Sequence, residues 1–316
     1  MSHALSSDEH TAVDPAWSID LATALGVGLD EVVQNGQIAS ITLCSTPLQR
    51  QAYWSFLQTQ HAGERTIFEA HPRAATLLAR LDGQMVGALA LLPDSPLGLP
   101  LPEVFLTALA RLRSEGRQLA LIDPLVIPAE LPPRMAGLVL RGLLRLAILA
   151  ARRLDGRSDV LVRCEPHYAR FFAQALLFSV ESDHPATAET PAQTLLRLDL
   201  DLCPSEWLRL YGDGPWSPYG LYIRPTAQTA RVIDWLRSRR QPPSINDLVA
   251  TWINPRDGAI PLDHTSLASL CRLYPGLNEH LIVAQREESG TLRPERAVGT
   301  GPFPRIRTPM PWKIIP

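Results

Sequence analysis

A cysteine and a histidine lie three residues apart where an apolar run gives way to a helix-like pattern. Cys164 ends the run DVLVRC, and His167 directly follows Pro166. A Cys/His pair can act as a nucleophile with its general base, and a histidine at a helix start can contact substrate or move a proton. The alternative for His167 is a capping or packing role. For Cys164, a core position at the end of a buried strand is the favoured interpretation.

Asp123 is the only carboxylate in the apolar run from Gln118 to Ile127. A carboxylate on such a strand can serve as a general base, or it can pair with an arginine. Pro124 follows it and has no N–H to donate to a neighbouring strand, so regular pairing is interrupted there. The sequence therefore predicts an acid at an irregular point of a strand, with both roles open.

Arginines recur along the segment that opens at Pro132-Pro133. Arg134, Arg141, Arg145 and Arg152 fall within about 40° of one another on a helical wheel, and apolar residues occupy the opposite face. A membrane span needs about 20 apolar residues with few charges, so this segment is predicted to be an amphipathic helix instead. We call the four arginines the arginine stripe. It is either a solvated face or a docking face for an acidic protein.

The composition excludes several functional classes. The 316 residues are 46% hydrophobic and 20% charged, with a net charge of −2, so binding of nucleic acid through bulk positive charge is not expected. The 4 cysteines are dispersed and show no zinc spacing, so neither a metal site nor a disulfide framework is predicted. The N-terminus does not resemble a signal peptide, and a cytoplasmic location is expected. No nucleotide-binding glycine motif and no nucleophile elbow is found.

Hydrophobic periodicity divides the chain into three regions. Residues 1–36 are predicted to be a polar tail and a short helix from Ser18 to about Val33. Residues 37–202 give the order β-α-β-β-α-β-α-β-α-β, which is typical of a mixed α/β layer fold. Residues 203–316 contain 15 of the 29 prolines and are predicted to be a mainly helical appendage with an extended tail. The predicted strands are Gln37–Leu43, Ala75–Leu81, Met85–Leu92, Gln118–Ile127, Asp159–Cys164 and Leu195–Leu202.

Local signals support several of these elements. Asp82-Gly83 predicts a tight hairpin between two strands. Ser244 and Asp247 have the spacing of a capping box, which predicts a helix start in the appendage.

The segment Leu77–Val180 resembles the N-acyl amino acid synthases of the FeeM type, GNAT-fold acyltransferases related to the acyl-homoserine-lactone synthases. Four stretches carry the likeness: LDGQMVG (81–87) running into DSPLGLP (94–100), VF (104–105) with LRSEGR (112–117), LIDPLVI (121–127), and CEPHY (164–168) with FF (171–172) and LLF (176–178). The resemblance implies a GNAT-like mixed central sheet flanked by helices. It further implies that the strands Gln118–Ile127 and Asp159–Cys164 are parallel and splayed at their carboxyl ends, which opens an acyl-donor cleft.

The activity implied is transfer of a fatty acyl group to an amino group, with no bound cofactor. The donor would be acyl carrier protein, or less readily coenzyme A. The implied catalytic residues are Asp123 and His167, and the implied substrate-binding residues are Asp94, Ser95, Arg113 and Arg117. Donor binding is assigned to Arg134 and Gly137, which partly match the Arg-x-x-Gly pyrophosphate loop of GNAT enzymes, and to Arg141 and Arg145, which would face an acidic carrier protein.

Three features depart from the family pattern. Leu121 stands where the family usually has a glutamate, and Pro124 stands where it has an arginine. Ala108 and Ala110 occupy the region where an upstream acid is expected. A hypothesis from another class therefore stays open, in which a catalytically degenerate GNAT-fold domain acts as a protein-binding or assembly module.

Overall fold

The computed structural model describes residues 18–25, 39–60, 66–96, 98–186, 191–253 and 264–278. Its centre is an eight-stranded sheet with the order β1-β2-β3-β4-β5-β6-β8-β7. Strands β5 and β6 are parallel, and every other neighbouring pair is antiparallel. The strands are β1 Ser18–Asp20, β2 Ala39–Leu43, β3 Ala75–Leu81, β4 Gln84–Pro93, β5 Leu119–Val126, β6 Asp159–Cys164, β7 Ser179–His184 and β8 Gln193–Asp199.

Nine α-helices occur in these described ranges. They are α1 Leu21–Leu25, α2 Pro47–Thr59, α3 Leu106–Ser114, α4 Pro133–Leu149, α5 Pro166–Leu176, α6 Cys203–Tyr211, α7 Ala227–Arg239, α8 Ile245–Leu248 and α9 His264–Leu273. Helix α4 continues into a π-helical turn, Ala150–Leu154, and short turns Ile67–Ala70, Glu103–Phe105, Tyr219–Ile223 and Val249–Ile253 complete the set. Within these ranges, no helix is long and apolar enough to cross a membrane.

Turn and cap chemistry explains several boundaries. Asp82 and Gly83 both have positive φ, 49° and 83°, as a two-residue hairpin turn between β3 and β4 requires. Ser244 and Asp247 form the reciprocal hydrogen bonds of a capping box at the start of α8. These local predictions are confirmed.

The sheet has a hydrophobic layer on each face. Leu89 and Leu91 of β4 belong to one buried cluster, together with much of α4. Ala88 and Ala90, which alternate with them, belong to two other clusters on the opposite face. One of these contains Tyr53 and Trp54 of α2, and the other contains the apolar side of α3. The predicted α/β class, a mixed sheet flanked by helices, is confirmed.

Three elements differ from the prediction. A helix is expected from Ser18 to about Val33, but Ser18–Asp20 is a short strand. Leu21–Leu25 is helical, and residues 26–38 lie outside the described residues. Strand β7 was not predicted, because its sequence SVESDH lacks an apolar alternation. It lies at the end of the sheet, pairs only with β8 among the described strands, and has no fully buried residue, so it needs no apolar alternation. The last predicted strand, Leu195–Leu202, is shifted to Gln193–Asp199.

The described part of the C-terminal region packs on both faces of the sheet. Trp207 of α6 and Val232 of α7 join the cluster that contains α4. Leu248 and Trp252 join the cluster that contains α2. The boundary expected after residue 202 stays a prediction.

Candidate functional site

The parallel strands β5 and β6 separate before either of them ends. Their pairing runs from Leu119↔Asp159 to Ile122↔Val162. Strand β5 continues to Val126 and β6 to Cys164 without further pairing between them. The prediction of parallel neighbours that part at their carboxyl ends is confirmed. Backbone groups of β5 beyond Ile122 are therefore not engaged by β6.

Strand β5 also contains an extra residue at this point. Leu89 of β4 pairs with Leu125, and Leu91 pairs with Ile122, so two residues of β5 face one of β4. This is the pattern of a β-bulge, which redirects side chains and is common near active sites. The bulged residues are Asp123 and Pro124, as the sequence predicts from a proline within the strand.

Asp123 forms a buried ion pair across the gap between the two strands. Its Oδ2 accepts a hydrogen bond from Nη2 of Arg163 at 2.8 Å, and both residues are buried. Burial raises the pKa of Asp123 above its usual range, although the Arg163 charge and hydrogen bond act against this. A carboxyl group with a raised pKa is a better proton acceptor than an ordinary one.

A second buried acid, Glu69, lies in the turn Ile67–Ala70. It accepts hydrogen bonds from the Tyr53 hydroxyl at 3.2 Å and from the Trp54 indole N–H at 2.8 Å. Burial first, then Glu69 and more weakly Asp123, raise the pKa of Tyr53 well above its usual value. Tyr53 therefore stays protonated as a donor, close to both acids. Sequence reasoning missed Glu69, because no periodic pattern marks an irregular turn.

These groups form a polar band between two apolar clusters on one sheet face. Every second residue of β5 points to this face, namely Leu119, Leu121 and Asp123. The two leucines belong to one apolar cluster, and Asp123 follows it as the first polar side chain. The cluster of Tyr53 continues on the other side. We define the polar band as Tyr53, Glu69, Asp123 and Arg163. A carboxylate, a phenol and a guanidinium beside unpaired backbone can hold a polar substrate and accept its proton.

Residues 48–199, which contain all four residues of the polar band, match the family described as N-acyl amino acid synthase FeeM. These residues, just under half of the chain, are similar to that family, and we call them the FeeM-like segment. Among curated protein sequences, none matches the chain.

Solved structures of GNAT-type proteins are also similar to the chain. FeeM itself, an N-acyl amino acid synthase from uncultured soil microbes, is 18% identical with a TM-score of 0.46, over 53% of this chain and 93% of FeeM. An acyl-CoA N-acyltransferase from Pseudomonas aeruginosa is 20% identical with a TM-score of 0.28, over 39% and 67% of the two chains. A GNAT-family acetyltransferase from Streptococcus pneumoniae is 14% identical with a TM-score of 0.35, over 50% and 98%.

In the FeeM-like segment, His167 lies at the start of α5, and its side chain is 58% exposed. Its Nδ1 is 3.0 Å from Oε2 of Glu165, and its ring centre lies 3.8 Å from that of Tyr168, with the two ring planes tilted by 45°. Within the described residues, no hydrogen bond joins it to Asp123. Cys164 is buried, and burial raises the pKa of its thiol to about 12. Since the thiolate is the nucleophilic form, Cys164 fits the core interpretation.

The expected substrate-binding residues lie at the other end of β5. Both carboxylate oxygens of Asp94 accept hydrogen bonds from Arg113 at 2.7 Å, and the Ser95 backbone N–H donates to the same carboxylate. Arg117 binds Asp159 and Asp199. Asp94 donates its backbone N–H to Leu119 at the start of β5, four residues or about 13 Å along the strand from Asp123. The structure thus gives these residues mutual contacts and does not bring them to the polar band.

The arginine stripe is only partly exposed. Arg134 and Arg141 are exposed, and the Arg141 guanidinium lies 6.0 Å from the centre of the Trp216 ring. Arg145 is 2% exposed and donates a hydrogen bond to Oγ1 of Thr229 at 2.8 Å. The expectation that Arg145 belongs to a docking face is wrong, because α7 packs over this part of α4. Gly137 lies in the first turns of α4, with open space where a Cβ would project.

Across the described ranges, no group of three or more His, Cys, Asp or Glu side chains is arranged to hold a metal ion.

Proposed function

We propose that this protein transfers a fatty acyl group from acyl carrier protein to the amino group of an amino acid, at the gap between β5 and β6. The observation that carries the proposal is Asp123, a buried acid at the point where the two parallel strands part within the FeeM-like segment. The family match supports acyl transfer as the reaction class. The acyl carrier donor and the amino acid acceptor are the finer parts of the proposal.

Asp123 is the proposed general base. An ammonium group must lose a proton before its nitrogen can attack a thioester. The raised pKa of Asp123 favours proton acceptance, and the Arg163 hydrogen bond fixes the position of the carboxylate through Oδ2. The amine nitrogen then forms a bond to the acyl carbon, the C–S bond breaks, and the carrier thiol leaves. In this proposal, a backbone N–H of β5 beyond Ile122 polarises the thioester carbonyl, since β6 does not pair with that part of the strand.

The donor would dock beside the amino-terminal half of α4. Arg134 and Arg141 are exposed there, and acyl carrier proteins are acidic, so the charges are complementary. This docking face consists of two arginines of the stripe, since Arg145 is buried under α7.

The test is to look for N-acyl amino acids by mass spectrometry, using purified protein, acyl carrier protein loaded with a fatty acid, and a mixture of amino acids. We expect products from the parent protein and a rate lower by about 10²–10⁴ in Asp123→Asn. Because this change leaves Arg163 buried without its acid, the variant is compared at a temperature where circular dichroism shows it folded. Asp234→Asn, on the exposed surface of α7, is the matched control and keeps the parental rate.

The module hypothesis predicts a different outcome. Leu121 is fully buried in the apolar cluster with Leu161, so the position of the family glutamate contributes no acid to the site. If the parent forms no product with acyl carrier protein or coenzyme A donors but retains a protein partner, the module interpretation replaces the enzyme. If Asp123→Asn is folded and retains the parental rate, Asp123 is not the base.

A further inference from the structure

Four basic side chains come together at the end of the sheet remote from Asp123. His71 and Arg73 precede β3, Arg157 precedes β6, and Arg240 follows α7 as its C-cap. The charges of all three arginines act on His71, and Arg240 binds Asp155, two residues before Arg157. We call these four residues the basic cluster. Three different parts of the chain contribute to it, so it is a product of the fold and not of local sequence.

Much of the donor capacity of this cluster is unused. The side chain of Arg240 is 7% exposed, and its Nη1 donates to Oδ2 of Asp155 at 2.8 Å. Its Nε and Nη2 are buried and have no hydrogen-bond partner among the described residues, and the same holds for Nε of Arg157. Nε and Nη2 form one edge of the guanidinium, whose two parallel N–H groups match two oxygens of one oxyanion. Buried donors without partners are rare in proteins.

The charges of the cluster do not balance. Within the described part of the chain, the acids that act on Arg157 are Asp155 and Asp94. Asp94 already binds Arg113 through both of its oxygens. Asp155 is therefore the one acid whose charge is not taken up by an arginine outside the cluster. Three arginines against one carboxylate leave two net positive charges. A dianion restores neutrality, whereas a monocarboxylate leaves one charge uncompensated.

His71 adds a neutral donor at the same place. Burial and the charges of Arg157, Arg240 and Arg73 lower the pKa of His71 to about 4. Its Nδ1 accepts a hydrogen bond from the Arg73 backbone N–H at 3.0 Å, so the ring proton of the neutral form lies on Nε2. Arg73 is exposed, and His71 and Arg157 are partly exposed. The cluster is therefore reached from solvent at Arg73, with Arg240 at its buried end.

We propose that the basic cluster binds a phosphate-class dianion, with the Nε/Nη2 edge of Arg240 and the Nε of Arg157 as its buried donors and Arg73 and His71 at its entrance. Inorganic phosphate and the phosphate monoester of a larger molecule share this chemistry. The site lies away from Asp123, since the start of β6 pairs with the start of β5 and Asp123 lies four residues further along. The proposal does not depend on acyl transfer.

The test is titration of the full-length protein with inorganic phosphate at constant ionic strength, by calorimetry and by NMR of the His71 ring. We expect saturable binding, competition by sulfate, and a rise in the pKa of His71, because a bound anion offsets the three arginines. Arg240→Gln and Arg73→Gln should each weaken phosphate binding roughly tenfold or more. Arg237→Gln, on the exposed side of the same helix, should leave binding unchanged.

Several results would overturn the proposal. The proposal is wrong if the pKa of His71 does not change at saturating phosphate. It is also wrong if Arg237→Gln weakens phosphate binding as much as the cluster variants do, or if acetate binds as tightly as phosphate. If Arg240→Gln does not fold, Arg73→Gln decides the question, since its side chain is exposed and its loss disturbs no packing. Glycerol 3-phosphate distinguishes the two sources: tighter binding than phosphate indicates a monoester ligand, and exclusion indicates free phosphate.

Discussion

Asp159 shows at the scale of one residue how a buried charge is stabilised in this protein. It is fully buried and accepts hydrogen bonds from Arg117, Arg197 and Ser158, each at 2.6 Å. Burial alone would raise the pKa of this carboxyl, but the three donors outweigh it and hold the pKa below its usual range. The folded state therefore favours the ionised form. This contribution to stability is present above the pKa of the unfolded chain and is lost as pH falls through the lower native pKa.

The Asp159→Asn variant tests this assignment. At pH 7 we expect it to lower the free energy of unfolding by about 3–5 kcal/mol, because two arginines lose their shared acid. As pH falls below about 4, Asp159 is protonated first in the unfolded chain, so the difference in free energy of unfolding narrows, and it is lost as pH passes the lower native pKa. Urea unfolding at both pH values measures this. A difference that stays constant with pH would show that packing, not charge, explains the loss.

At the scale of elements, α4 carries both an exposed and a covered part of the arginine stripe. Arg134→Glu with Arg141→Glu should weaken binding of acyl carrier protein, and the effect should diminish at high salt. Surface plasmon resonance at low and high salt measures both. Arg209→Glu on α6, which is exposed and pairs with Glu206, is the control for a general loss of positive charge. Equal affinity of parent and double variant at low salt would exclude α4 as the docking face.

Elements whose signals are local were predictable, and contacts between distant segments were not. The hairpin at Asp82-Gly83 and the capping box at Ser244 depend on residues within one turn, so the sequence predicts both. The helical periodicity predicts that Arg145 is exposed. It is buried because it binds Thr229, which lies 84 residues later in the chain, and no local pattern reveals that contact. Within the candidate site, Asp123 was predictable as an isolated acid in an apolar strand. Its pairing with Arg163 depends on the tertiary fold, because the two residues lie 40 positions apart in the chain.

At the scale of the whole molecule, residues C-terminal to the family match pack against both faces of the sheet. Trp207 is fully buried and donates its indole N–H to the backbone oxygen of Leu176 at 3.0 Å. Trp252 packs edge-on against Trp54 and donates to the backbone oxygen of Thr66 at 3.2 Å, three residues before Glu69. The C-terminal region therefore forms part of the wall around the polar band.

Substitution of these tryptophans measures how far the domain depends on that region. We expect Trp207→Ala and Trp252→Ala each to lower the free energy of unfolding by about 3–5 kcal/mol. Trp216→Ala, at an exposed position, should change it by no more than about 0.5 kcal/mol. Denaturant unfolding compares the three. Small effects at both buried positions would mean that residues 203–278 contribute little to the stability of the sheet.

The two outer strands of the sheet have a consequence for self-association. A sheet that ends in a long, regular strand offers free backbone groups to another copy and invites aggregation. Here β1 has only 3 residues, and β7 is interrupted between Val180 and Ser182 by a register shift. Glu181 of β7 pairs with Arg111, and Asp183 accepts a hydrogen bond from Thr194, so charged groups line this border. Both borders are poor templates for strand addition, and concentrated protein should remain free of cross-β assemblies while it is folded.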